Sequence, residues 1–187
     1  MAIAQALFTS DAQTWNTPEC IIERVRKVDD VSLDPCSNDG SIVCAAEEWR
    51  LERGEDGLAR PWSLTGIVYV NPPYDDLATW AKKMASEAAR GVQIVALIPA
   101  RTDTQAFHRF ILPTCDAIAF WEGRLSFGSG PPKASRQVAM FSGWDDRPVV
   151  QLPDNPAPFP SCLPYWGRNR RAFAKAFESV AWIAKCR

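Results

Sequence analysis

Gly66-Ile67-Val68-Tyr69-Val70-Asn71-Pro72-Pro73-Tyr74 is the stretch on which the fold turns. Its first five residues form an apolar run of strand length, too short for a helix. Two prolines follow, and proline can continue neither a sheet ladder nor a helix, so the strand must end there in a rigid loop. That loop carries an amide at Asn71, proline carbonyls with no N–H of their own, and a flat ring at Tyr74. In α/β sheets ligands sit at the carboxyl ends of strands, which is where this polar loop falls. A proline-rich loop that only caps the strand is the plainer alternative.

Working downstream, Asp75 or Asp76 caps a helix to about Arg90, with Leu77, Trp80, Ala81 and Met84 on one face and Gly91 as the stop. Val92-Gln93-Ile94-Val95-Ala96-Leu97-Ile98 reads as a second buried strand ended by Pro99. A helix capped by Thr102 or Asp103 follows, to about Leu112. Ala117-Ile118-Ala119-Phe120-Trp121 and Val138-Ala139-Met140-Phe141 read as strands, with a short one in Gly123-Arg124-Leu125-Ser126-Phe127-Gly128 between them. Upstream, Thr17 reads as the N-cap and Pro18 as the first residue of a short helix through Val25. Val31-Ser32-Leu33 reads as a strand closed by the turn Asp34-Pro35-Cys36-Ser37-Asn38-Asp39-Gly40. Residues 41–65 carry no clear pattern.

Strands alternating with helices predict an α/β domain with a mostly parallel sheet flanked by helices. Its carboxyl rim then carries Asp34, Asn71 and Pro99-Ala100-Arg101 together. The domain is expected over 1–147. Six prolines in residues 148–164 predict an extended linker, placed at 148–167. A basic amphipathic helix is expected over roughly 168–185, packing on the same domain through Phe173, Phe177, Val180 and Trp182.

At 187 residues, 47% hydrophobic and 23% charged, the chain has ordinary globular composition and enough length to bury one core. No run of 18 apolar residues crosses a membrane, and Met1 to Ser10 lacks the features of a signal peptide. The six cysteines show no CxxC spacing and there is one histidine, so no metal site is expected. Free thiols in a reducing, cytoplasmic setting account for them. Net charge is −1, but residues 168–187 carry +5, with Arg168, Arg170 and Arg171 foremost. A basic tail on an acidic body suits contact with phosphates, and equally suits a solvated helix end.

Three further clusters have chemistry to offer on that rim. Asp34-Pro35-Cys36-Ser37 ends a strand with an acid that can hold an ammonium group or ribose hydroxyls; Asp-Pro is also a common strand terminator. Trp15-Asn16-Thr17-Pro18 opens a helix, whose unpaired N–H groups suit a carboxylate. A capped surface helix is the alternative. Glu55-Asp56-Gly57-Leu58 with Pro61-Trp62 sets an acid beside an apolar residue, enough to read an amino group and cover a ring, or to make a turn. Cys36 reads as a buried pocket wall, and His108 as structural. Arg101 and Arg124 are candidate phosphate contacts.

The Asn-Pro-Pro-Tyr loop resembles the catalytic loop of S-adenosylmethionine-dependent amino-methyltransferases. The order Trp-x-Thr-Pro, Asp-Pro-Cys-Ser, Asp-Gly-Leu with Trp, then Asn-Pro-Pro-Tyr is similar to the phage-type DNA N6-adenine methyltransferase family, the Dam family of phages and prophages. The likeness continues through Pro99-Ala100-Arg101-Thr102-Asp103-Thr104, Gly123-Arg124-Leu125-Ser126-Phe127 and a strand at 135–141, covering about residues 8–145. It implies a class I Rossmann-like methyltransferase fold. The implied methyl donor is S-adenosylmethionine, leaving S-adenosylhomocysteine, and the implied acceptor is adenine in duplex DNA. By position, Trp15, Thr17, Pro18, Asp34, Pro35, Cys36, Ser37, Asp56 and Leu58 would line the cofactor pocket. Asn71, Pro72, Pro73 and Tyr74 would hold the adenine, and Arg101, Thr102, Asp103 and Arg124 would meet nucleic acid, with Arg168, Arg170 and Arg171 as the tail's contribution. Two departures stand out: Asp34-Pro35-Cys36-Ser37 replaces the usual glycine-rich loop, and only 36 residues separate Asp34 from Asn71, so the intervening strands must be short. Another acceptor (cytosine N4, RNA or a protein amide) and a degenerate DNA-binding module are the competing readings.

Overall fold

A computed structural model describes residues 16–125 and 157–186 of the chain. The elements run α1 (Glu19–Val25), β1 (Val31–Asp34), β2 (Glu47–Glu48), a 3-10 turn (Leu51–Arg53), β3 (Ile67–Val70), a second 3-10 turn (Tyr74–Asp76) and α2 (Leu77–Ala89). They continue with β4 (Gln93–Ala96), β5 (Ile98–Pro99), a π-helical turn (Phe107–Ile111), β6 (Ala117–Trp121), β7 (Ser161–Trp166), α3 (Arg170–Phe177) and β8 (Ala181–Lys185). Among the described residues eight strands form one sheet in the order β2-β1-β3-β4-β7-β6-β8, with β5 also on β7.

The sheet is mixed, which corrects the expectation of a mostly parallel one. Pairs β1–β2, β1–β3 and β3–β4 are parallel, while β7 runs antiparallel to β4, β5 and β6, and β8 antiparallel to β6. The reversal comes from a segment that reads as linker. Residues 161–166 are a fully buried strand between β4 and β6, prolines notwithstanding. Extending the β4–β7 register sets Pro164 opposite Ala96, and there the ladder breaks between β4 and β5. A residue without an N–H cannot bond there, and Leu97 instead donates to Val70 on the other side at 2.8 Å. The single strand expected over 92–98 is therefore two.

The final helix is likewise shorter than its sequence pattern. Asn169 caps it, Oδ1 accepting from Ala172 N at 3.1 Å, and it stops at Phe177. Residues 181–185 pair along β6 instead, which places Trp182 on an edge strand, 77% exposed, rather than in a helical core face. Three smaller differences follow from capping and turns. Thr17 is not the cap of α1, since Pro18 holds that position and the Thr17 hydroxyl is used elsewhere. Thr104, not Thr102 or Asp103, braces the turn before Leu112, accepting from Phe107 N at 3.3 Å, and the helix there is a π-helical turn. Gly123, Arg124 and Leu125 are not a strand. The strand expected at 138–141 lies outside the described residues.

Other expectations match. Gly91 ends α2 with φ of 95°, its N–H returning to Ala88 O at 2.9 Å. Trp80, Ala81 and Met84 are the buried face of α2, and β2 is two residues long. Two cores flank the sheet. One joins α1 and α3 through Ile21, Ile22, Val25, Phe173 and Phe177, where Phe173 stacks on Tyr165 with centroids 4.6 Å apart. The other joins α2 and the π-helical turn through Trp80, Met84, Phe107 and Ile111. Among the described residues no helix is long and apolar enough to cross a membrane.

Candidate active site

β1, β3 and β5 end at one rim, since β1–β3–β4 are parallel and β5 continues β4's direction. Asp34 closes β1, Asn71 follows β3, and Arg101 follows β5. β6 is antiparallel to β7, as β4 is, so Arg124 also emerges at this rim.

Asn71 is half-buried and held from both sides. Its Nδ2 donates to Thr17 Oγ1 at 3.4 Å, and its Oδ1 accepts from the Tyr74 hydroxyl at 3.1 Å. Thr17 Oγ1 is in turn 2.9 Å from the hydroxyl of Tyr69. The prolines hold this loop in extended form until Tyr74 starts a 3-10 turn. The Tyr74 ring meets Phe159 edge-on, centroids 5.2 Å apart at 85°, and burial pushes its phenol well up. Phe159 went unremarked in the sequence because it stands 85 residues from Tyr74 in an expected linker.

Asp34 is 3% exposed, and its Oδ1 accepts from Cys36 N at 3.1 Å. Burial, with the nearby Glu48 carboxylate adding to it, raises its pKa to about 7. The Cys36 thiol lies between this carboxyl and the Asn71 backbone, and burial with the Asp34 charge drives its pKa well up. A thiol held protonated is a pocket wall and a poor nucleophile. Ser37 is buried as well, its Oγ 3.3 Å from Glu48 Oε2. Asp56 braces its own turn, Oδ1 accepting from Leu58 N at 2.8 Å. That turn is pressed against Pro35: a Cβ on Gly57 would stand 2.0 Å from the Pro35 carbonyl oxygen. Trp62 Nε1 ties it down by donating to Gly57 O at 2.8 Å.

The structure thus gathers Thr17, Asp34, Pro35, Cys36, Asn71 and Tyr74 at one end of the sheet, with Asp56 and Leu58 beside Pro35. Arg101, Thr102 and Asp103 follow on the same rim, Thr102 and Asp103 exposed. Trp15 lies outside the described residues. Arg168, Arg170 and Arg171 are not brought there: β7 ends at Trp166, opposite the start of β4, so they stand at the other end of the sheet. Asn16 was passed over in the sequence. It lies against Gly40, where a Cβ would come within 2.6 Å of its Nδ2, and its Oδ1 is buried with no hydrogen-bond partner among the described residues.

This rim fits the polar part of an amino-acid-bearing nucleoside. Asn16 Oδ1 is a buried acceptor without a donor among the described residues, and the buried Asp34 carboxyl is a second acceptor, the chemistry that an ammonium and ribose hydroxyls satisfy. The neighbouring Asn71 amide has an oxygen to offer a second amine. The molecule is thus of a mixed α/β class with its polar side chains gathered at one sheet rim. The family model for DNA N-6-adenine-methyltransferase (Dam) matches residues 5–142, and the chain belongs to that family. Comparison with curated proteins and with solved structures finds no match.

Proposed function

We propose that the protein transfers a methyl group from S-adenosylmethionine to N6 of an adenine flipped out of duplex DNA, by direct displacement. The observation carrying this is the Asn71–Thr17 bond, which joins the amine-gripping loop to the segment proposed for the cofactor. We take the sheet as a class I methyltransferase fold in which β1, β3 and β4 form the parallel half, and β7 the reversed insertion. Thr17, Pro18, Asp34, Pro35, Cys36, Ser37, Asp56 and Leu58 would line the cofactor pocket, with Asn16 added and Trp15 kept by position. When bound, the cofactor supplies an electrophilic methyl group.

The remaining work falls to this chain's side chains. Asn71 Oδ1 and the Pro72 carbonyl accept hydrogen bonds from the two amino hydrogens, drawing the nitrogen lone pair out of conjugation and aiming it. The nitrogen, once methylated, releases one of those hydrogens to water as a proton. Tyr74 exchanges its bond to Oδ1 for a stacked base. Extrusion costs a few kcal/mol, and stacking returns about 1–3 kcal/mol per base. Rate comes from positioning and from carbonyl dipoles facing the charge that develops on nitrogen. Arg101 and Arg124 would meet phosphates around the mouth, with Thr102 and Asp103 beside them facing the nucleic acid.

The test is transfer from labelled S-adenosylmethionine to unmethylated duplex DNA, with digestion to nucleosides. Label in N6-methyladenine is the expected result; label in cytosine or none in any nucleoside would sink the proposal. Asn71→Ala should abolish transfer while cofactor affinity, read by calorimetry, stays within about threefold, because the amide serves the acceptor.

A further inference from the structure

Tyr69 is the one hydroxyl in an otherwise apolar strand, 0% exposed and packed in the α1/α3 core. Phenylalanine would fill that space without burying a polar atom, so the hydroxyl needs a purpose. Alternation along β3 sets Tyr69 on the same face as Asn71, two residues on. Its oxygen lies 2.9 Å from Thr17 Oγ1, and Thr17 Oγ1 lies 3.4 Å from Asn71 Nδ2. The three side chains form one hydrogen-bonded line from the core to the catalytic loop, joining β3 to the segment that leads into α1.

An amide has two unlike ends. Only its oxygen can accept an amino hydrogen; turned by 180° it would set an N–H against the amine, donor against donor. The terminal torsion of asparagine is soft and nearly two-fold, so rotamer preference does not choose between the two. The neighbouring hydroxyls must choose. A threonine hydroxyl has one proton. If Thr17 gives it to Tyr69, lone pairs alone face Asn71, and they require Nδ2 rather than Oδ1 on that side.

We infer that Tyr69 is a positioning residue, which through Thr17 holds the Asn71 amide with its oxygen toward the acceptor amine. The inference rests on the reading of Asn71 as the amine-gripping group. It extends that reading to a residue that touches neither cofactor nor base. It also links the two halves of the site, because any movement of Thr17 is felt at Asn71.

Tyr69→Phe removes one oxygen and keeps the ring. In the full-length chain without cofactor or DNA, the Asn71 side-chain amide protons are followed by NMR, assigned by their loss in Asn71→Asp. They are expected to exchange with solvent about tenfold faster in Tyr69→Phe, the equivalent of one lost hydrogen bond. In transfer assays kcat should fall by a similar factor of about ten, with KM for DNA and cofactor affinity each within about twofold. A purely structural role would lower the melting temperature and leave the amide exchange and kcat alone, and that result overturns the inference. Unchanged amide exchange overturns it too. Accelerated exchange in a protein that methylates no nucleoside would leave the positioning chain standing and remove only the proposed reaction.

Discussion

Asp34 is a carboxyl whose environment moves its titration into the neutral range. Its folded pKa of about 7 lies above the ordinary 3.8, so the native state holds a proton that the unfolded chain releases. Its contribution to stability is therefore complete below about 3.8 and lost as pH rises through about 7. Asp34→Asn should flatten the pH dependence of the urea midpoint between pH 4 and 7. Cofactor affinity should run the other way. Donors from an ammonium or ribose favour the carboxylate, so affinity in the wild type should rise from pH 6 to pH 8 and lose that rise in Asp34→Asn. Titration calorimetry across that range checks both, and a flat wild-type profile would remove Asp34 from the proposed pocket.

At the scale of elements, the Asp56–Leu58 turn is fixed by closeness rather than by bond number. Gly57→Ala would drive a methyl into the Pro35 carbonyl, and we expect a loss of about 1–3 kcal/mol in urea unfolding together with weakened cofactor binding. The sequence made the apolar strands β1, β3, β4 and β6 legible, because each is a short run bounded by proline, glycine or a capped helix. The grouping of Asp34, Asn71 and Arg101 on one rim was legible for the same reason: strand ends in parallel pairs face one way, whereas Thr17, which precedes a helix, is brought there by a contact 54 residues away in sequence. β7 was not, because Pro160, Pro164 and their neighbours are the ordinary marks of a linker, and a proline is tolerated in mid-sheet only where the facing strand breaks. Nor was β8, since Phe173, Phe177 and Val180 keep helical spacing to the edge of Ala181, and only the distant β6 ladder overrides it. Tyr69 and Phe159 act through partners 52 and 85 residues away, distances at which local pattern says nothing.

For the whole molecule, the central place of β7 means that the family-matched region is not a separate folding unit. A chain stopped after residue 147 would lack the strand between β4 and β6, along with α3 and β8. It should show no cooperative thermal transition by circular dichroism, and a sharp transition would refute this. The same topology has a consequence at the mouth of the site. Leu125 leaves β6 and Ala157 returns toward β7 side by side, with Ala157 N donating to Leu125 O at 2.8 Å. The chain thus leaves the sheet region at Leu125 and re-enters it at Ala157 at one point of the rim, the two positions bonded to each other. The strand ends that carry Asp34 and Asn71 are held in one sheet with a strand that comes after the family-matched residues, so damage to β7 is expected to reach the site.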